Sequence, residues 1–120
     1  PAMHRITSVN IDKDLVAAMA TPLVLAILLE GPSYGYAILK RVRELSDGEL
    51  EWTDGMLYPL LHRLERGGSV ESEWRDSEAS RRRKYYLITD AGRAQLAEQR
   101  RQWTTANRTL GGLWTQAAGA

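Results

Sequence analysis

The chain has 120 residues, one domain's length, and its 43% hydrophobic and 26% charged residues place it with globular chains, not with disordered or fibrous ones. With 16 Lys and Arg against 15 Asp and Glu the net charge is +1, so no global field draws it to nucleic acid or anionic membrane and only local clusters can do so. There is no cysteine, which excludes disulfides, thiolate nucleophiles and cysteine-containing metal sites and makes a reducing cytoplasm the expected compartment.

Residues 1–11 carry no helical period and are expected to form an arm, with Pro1-Ala2 ahead of Met3 a remnant of cloning. The apolar stretch from Leu15 to Leu29 falls short of the roughly 20 residues a membrane span needs. Its flanks, Lys13-Asp14 and Glu30-Gly31-Pro32, do not fit a signal peptide. It reads as a buried helix capped by Asp12 or Asp14, in which Pro22 makes a kink or, less favoured, restarts the helix from Thr21. Ser33 is expected to cap a second helix, with Tyr36, Leu39, Val42 and Arg43 at three- and four-residue spacing, closing near Ser46-Asp47-Gly48.

Thr53-Asp54 announce a third helix to about Arg66. Leu57, Leu61 and Leu64 form its buried stripe, and Gly55, Tyr58, Pro59, His62 and Arg66 share the opposite face. Beyond Gly67-Gly68 the period changes from 3.6 to 2: Val70, Ser72 and Trp74 alternate with Glu71, Glu73 and Arg75, and Arg82 to Ile88 form a second run. These are the strands of a hairpin with the polar tip Asp76-Ser77-Glu78-Ala79-Ser80. Thr89-Asp90 cap a last helix in which Leu96, Trp103 and Leu110 recur at heptad spacing, with Ala106 and Leu113 on the intervening seam. Gly111-Gly112 are expected to end it, leaving a tail from Leu113 to Ala120 in which Trp114 is the residue expected to pack.

Three helices, a hairpin and a final helix make a mostly α fold with a small β-hairpin, in the order of a winged helix-turn-helix. Three motifs sharpen this: LAILLEGPSYGY from Leu25 to Tyr36, GMLYPLLHRLE from Gly55 to Glu65, and VESEW at Val70 followed by RRRKYYLITDAG from Arg81 to Gly92. Together they resemble the PadR family of bacterial transcriptional regulators over about residues 14–105. The short single C-terminal helix is similar to the smaller subfamily, whose members are homodimers that repress promoters and in some cases sense small molecules. The expected division is an arm over 1–11, a DNA-binding domain over 12–88, a dimerisation helix over 89–112 and a tail over 113–120, with the DNA-binding and dimerisation roles those that the resemblance implies. The resemblance also implies double-stranded DNA and a second copy of the chain as partners, a location at the nucleoid, and neither membrane nor cofactor. Two features depart from the family pattern: Gly67-Gly68-Ser69 is expected to loosen the joint after the third helix, and the wing tip lacks the usual glycine or proline before the arginines.

The residues expected to face DNA are Ser33, Tyr36 and Lys40 on the second helix, Thr53, Gly55, Met56, Tyr58 and His62 on the third, and Arg81, Arg82, Arg83 and Lys84 on the wing. Tyr58 can donate to a phosphate, His62 can bond a base edge or phosphate, and Gly55 admits close backbone approach. The competing reading packs Tyr58 on the body and leaves His62 solvated. For the four wing cations, the alternative to phosphate contact is neutralisation by Glu71, Glu73, Asp76 and Glu78. Lys40, Arg41 and Arg43 add a possible basic flank. At the dimer seam the expected set is Leu15, Met19, Leu96, Trp103, Ala106 and Leu110. There Trp103 is either plain interface packing or, as the resemblance implies, a wall of a site for a planar aromatic molecule.

An enzyme is not indicated, since His4 and His62 are the only imidazoles and no phosphate-binding glycine loop occurs. No spacing suggests a metal site. A third class stays open: a winged helix that binds only protein through the Leu96-Trp103-Leu110 seam.

Overall fold

In the computed structural model, which describes residues 11–76 and 81–119, the elements are α1 (Lys13–Leu29), α2 (Gly35–Leu45), α3 (Asp54–Arg66), β1 (Val70–Asp76), β2 (Arg82–Ile88) and α4 (Asp90–Gly119). Most of the expected arm, with His4, and residues 77–80 of the wing tip lie outside the described residues. Asp12 is the cap that α1 uses, its carboxylate accepting from the Asp14 amide at 3.0 Å. Pro22 lies within one continuous helix, so Thr21 does not begin another.

The core is built where the apolar faces of three helices meet the base of the hairpin. Val24, Leu25, Ile27 and Leu28 of α1 pack with Ile38 and Val42 of α2, Leu57, Leu60, Leu61 and Leu64 of α3, and Val70, Tyr86 and Ile88 of the strands. Leu50 and Trp52, in the connection before α3, complete the cluster. The expected outer face of α3 is exposed as read: Gly55, Tyr58, Pro59, His62 and Arg66 all lie open.

Four sequence expectations change. Ser33 does not cap α2; Tyr34 occupies the cap position without a side-chain bond. Ser33 instead bridges to β2, its N–H donating to the Tyr86 carbonyl at 3.1 Å and its carbonyl accepting from the Tyr86 N–H at 2.7 Å. The reason is that β2 has a free edge in this two-stranded sheet, and buried backbone groups must find partners there. Thr53 holds the cap position of α3, but its hydroxyl makes no capping bond.

The Gly67-Gly68-Ser69 joint is tied, not loose. Ser69 is buried, its N–H donates to the Leu64 carbonyl at 2.9 Å, and its carbonyl accepts from the Thr89 N–H at 3.0 Å. Its hydroxyl donates to the Gln95 side chain, while the Thr89 hydroxyl donates to the Gly68 carbonyl at 2.6 Å. Two glycines widen the chain's freedom, and these bonds from α4 remove it.

Lastly, α4 continues through Gly111-Gly112 to Gly119, so the segment expected as a tail is helical. A glycine inside a helix costs only about 1 kcal/mol against alanine, which is not enough to stop one already propagating. The start of α4 is as read, with the Gly92 N–H donating to the Thr89 hydroxyl at 3.0 Å. Leu96 is its partly buried contact with the core, and beyond Trp103 every described side chain is exposed, Trp114 at 63% included.

Candidate nucleic-acid interface

The strand register decides which wing residues look toward α3. Ser72 pairs with Tyr86, Trp74 with Lys84 and Asp76 with Arg82, so these six side chains share one face of the hairpin. Between that face, the exposed side of α3 and the start of α2 runs a groove of ≈ 470 Å³. It gathers Tyr36, Tyr58, His62 and all four wing cations, Arg81, Arg82, Arg83 and Lys84, from the expected set. Three aromatics that the sequence did not single out for it, Tyr34, Trp74 and Tyr86, line it as well.

Tyr58 packs on the body and still opens to the groove. Its hydroxyl tip is seated on Gly35, where a Cβ would come within 2.0 Å of the oxygen, while the residue remains 37% exposed toward the groove. His62 stands beside it, the ring centroids 6.5 Å apart. The wing cations are organised by aromatics more than by acids. The Arg83 guanidinium lies 4.4 Å from the Tyr34 ring centroid and Arg82 lies 5.6 Å from Trp74. Tyr34 in turn meets Tyr85 edge to face at 5.3 Å, and Arg75 covers Tyr85 at 5.0 Å. An arginine stacked on a ring keeps its N–H groups directed outward in the ring plane, so it is oriented without being neutralised.

Of the wing's own acids, Glu73 pairs with Arg75 at 3.0 Å. Lys84 has an acidic neighbour on the helix: its ammonium lies 3.9 Å from Glu65 of α3 and 5.6 Å from the Tyr86 ring. Glu65 also accepts a hydrogen bond from the Ser72 hydroxyl. Burial raises the Tyr86 phenol above its usual value, and the neighbouring Glu65 carboxylate adds to the rise.

The remaining expected residues lie elsewhere. Ser33 is committed to its bridge with Tyr86. Lys40, Thr53 and Gly55 are exposed outside the groove. Met56 lines a separate cleft of ≈ 280 Å³ shared by α1, α3 and Trp52. The proposed basic flank on α2 loses Arg41, which donates to Glu30 at 2.9 and 2.7 Å and holds that carboxyl below the ordinary glutamate range.

Between α1 and α4 lies a separate open cleft of ≈ 550 Å³. Met19, Leu96 and Trp103 line it as expected, with Pro22, Leu23 and Arg100 added, whereas Leu15, Ala106 and Leu110 are exposed outside it. Among the described residues no group of three or more His, Asp or Glu could hold a metal, and no helix is long and apolar enough to cross a membrane.

Comparison with known proteins matches residues 24–98 to the transcriptional regulator PadR-like family. The Mycobacterium tuberculosis protein named transcriptional regulator Rv3488 is 42% identical over 77 residues, 64% of this chain and 71% of its own. A PadR family transcriptional regulator from Eggerthella lenta has a solved structure that is 37% identical, with a TM-score of 0.70 over 84% of this chain and 86% of its own. A PadR-like transcriptional regulator from Bacillus cereus superposes with a TM-score of 0.76 at 27% identity, over 84% of this chain and 96% of its own. Sequence and fold agree in these matches, and the chain belongs to the PadR-like family of winged-helix, DNA-binding transcriptional regulators.

Proposed function

We propose that the protein is a homodimeric repressor that binds a near-palindromic operator, each copy laying α3 in the major groove and its wing along the backbone. The observation that carries this is the groove between α3 and the hairpin, where Tyr58 and His62 stand against Arg82 and Arg83 held on aromatic rings. Helix and wing thus combine groups that read base edges with groups that bind phosphate. Dimerisation is supported by the apolar side chains that one copy leaves uncovered: Leu15 at 45%, Leu110 at 45% and Leu113 at 61% exposure, with Trp114 beside them on α4. Large apolar side chains left open on both helices support an interface there. Acting on chromosomal DNA places the protein at the nucleoid.

Selection of bound duplexes from a random library by the purified protein tests this. The expected product is a near-palindrome with half-sites about 10 base pairs apart, or a multiple of that. Failure to enrich any sequence overturns operator binding and leaves the seam to a protein partner.

The cleft at Trp103 favours a second element, release of DNA by a planar aromatic ligand between the two copies. Its ≈ 550 Å³ falls within the range of small-molecule sites, and Trp103, Met19 and Leu96 give it an apolar lining. Titration of flat dyes against tryptophan emission is expected to show quenching that the Trp103→Phe variant loses. Affinity equal with and without operator excludes coupling, because a ligand that binds both states alike shifts neither.

A further inference from the structure

We infer that Glu65 is a positioning residue for operator discrimination: it fixes the wing against α3, and Lys84 serves as its counter-ion instead of as a phosphate contact. The inference deepens the proposed reading and rests on α3 and the wing facing DNA. Glu65 sits at the C-terminal end of α3, the same helix that carries Tyr58 and His62. One of its carboxylate oxygens faces Lys84 of β2 at 3.9 Å, and the other accepts from Ser72 of β1. Ser72 and Lys84 lie on the same face of the hairpin, so a single carboxylate grips both strands. Beneath this contact Tyr86 is fully buried and anchors β2 in the core.

A carboxylate beside a DNA-facing surface has an electrostatic cost, since it repels phosphate and occupies a cation that could otherwise reach the backbone. What it supplies in return is geometry. The angle between wing and helix decides whether Arg82 and Arg83 meet phosphates in the register that lets His62 and Tyr58 meet their bases. Electrostatics and positioning therefore predict opposite signs for the same substitution, which makes the inference decidable.

The test measures binding of Glu65→Gln to the selected operator and to a scrambled duplex across a salt series, at a temperature where circular dichroism shows the dimer folded. Positioning predicts that operator affinity falls about tenfold while scrambled-duplex affinity holds or rises, so that the ratio of the two collapses. The salt slope should steepen by up to about 0.9 as Lys84 is freed to meet a phosphate. Ser72→Ala, which removes one grip without changing charge, should lower the ratio with the slope unchanged. Lys84→Met should leave the slope within a few tenths of the parent, where Arg82→Gln flattens it by about 0.9.

Two results overturn the inference: a Glu65→Gln ratio within about twofold of the parent, or a Lys84→Met slope that falls as far as that of Arg82→Gln. Should Glu65→Gln not fold, Ser72→Ala and Lys84→Met decide alone. His62→Ala and Arg82→Gln separate the levels. If neither alters operator binding, the DNA-facing reading fails and the inference with it. If both do and Glu65→Gln does not, the inference alone falls.

Discussion

Single atoms decide two positions in this molecule. At Gly92, in the first turn of α4, a Cβ would lie 2.1 Å from the Ser69 carbonyl oxygen and 2.8 Å from Ile88 Cγ1. Neither neighbour can retreat, since Ser69 is held by the bonds of the α3–β1 joint and Ile88 is core. Gly92→Ala should therefore cost about 1–3 kcal/mol by overpacking, seen as a lower midpoint in thermal melts. Gly55 is the contrasting case, because its added Cβ would touch only the Thr53 hydroxyl at 3.7 Å. Gly55→Ala should raise the melting point, by the roughly 0.5–1 kcal/mol that alanine gains in a helix, and yet weaken operator binding if the α3 backbone approaches DNA closely. A melt and a binding isotherm on the same sample separate the two effects.

Among the elements, the α1–α2 corner carries a pH-dependent tie. Arg41 hydrogen-bonds Glu30 and lowers its carboxyl below the ordinary value, so the stabilisation is present above the glutamate range and is lost as pH falls through it. Both side chains are well exposed, so solvent screening keeps the contribution small. The melting points of Glu30→Gln and the parent should differ slightly at neutral pH and converge in acid; a difference that grows in acid would contradict the assignment.

Helix α3, the hairpin and the Thr89 cap were legible in the sequence because each is written in spacing within a dozen residues. What escaped were several contacts that join distant segments. The Ser33 bridge needed the free edge of β2, and the parts played by Tyr34 and Trp74 needed the folding that brings their rings to Arg83 and Arg82. Gly111-Gly112 misled for the opposite reason: a local breaker signal was read without weighing the helix already running through it.

For the molecule as a whole, the division of labour along α4 gives a sharper expectation than its length alone. Leu96 packs against the core, whereas Leu110, Leu113 and Trp114 are exposed in one copy. A chain ending at Thr109 should thus retain its fold by circular dichroism while light scattering shows the dimer weakened, and operator affinity should fall with it. A chain ending at Gly92 should aggregate, because it uncovers the apolar side of α1; a monodisperse monomer from it would show that α4 is dispensable. Trp103 is only half-buried in one copy, so Trp103→Ala should cost each chain less than the about 3–5 kcal/mol of a fully buried aromatic and act mainly on the dimer dissociation constant.

The bridge between Ser33 and Tyr86 makes the wing a cantilever. Tyr86 turns its N–H and carbonyl to Ser33, while Tyr85 and Leu87 face β1 across the other edge, so the beam is clamped on both sides at one point. Outboard of the clamp, Arg82 and Arg83 ride on a strand with a partner on one side only. Stiffness should accordingly be concentrated at the root and compliance toward the tip. The arginines can then follow a phosphate backbone whose path varies from site to site, while the base of the wing keeps its angle to α3. Amide exchange would show this as a gradient, with the Ser33 and Tyr86 amides the slowest of their segments and protection falling from Tyr86 toward Arg82.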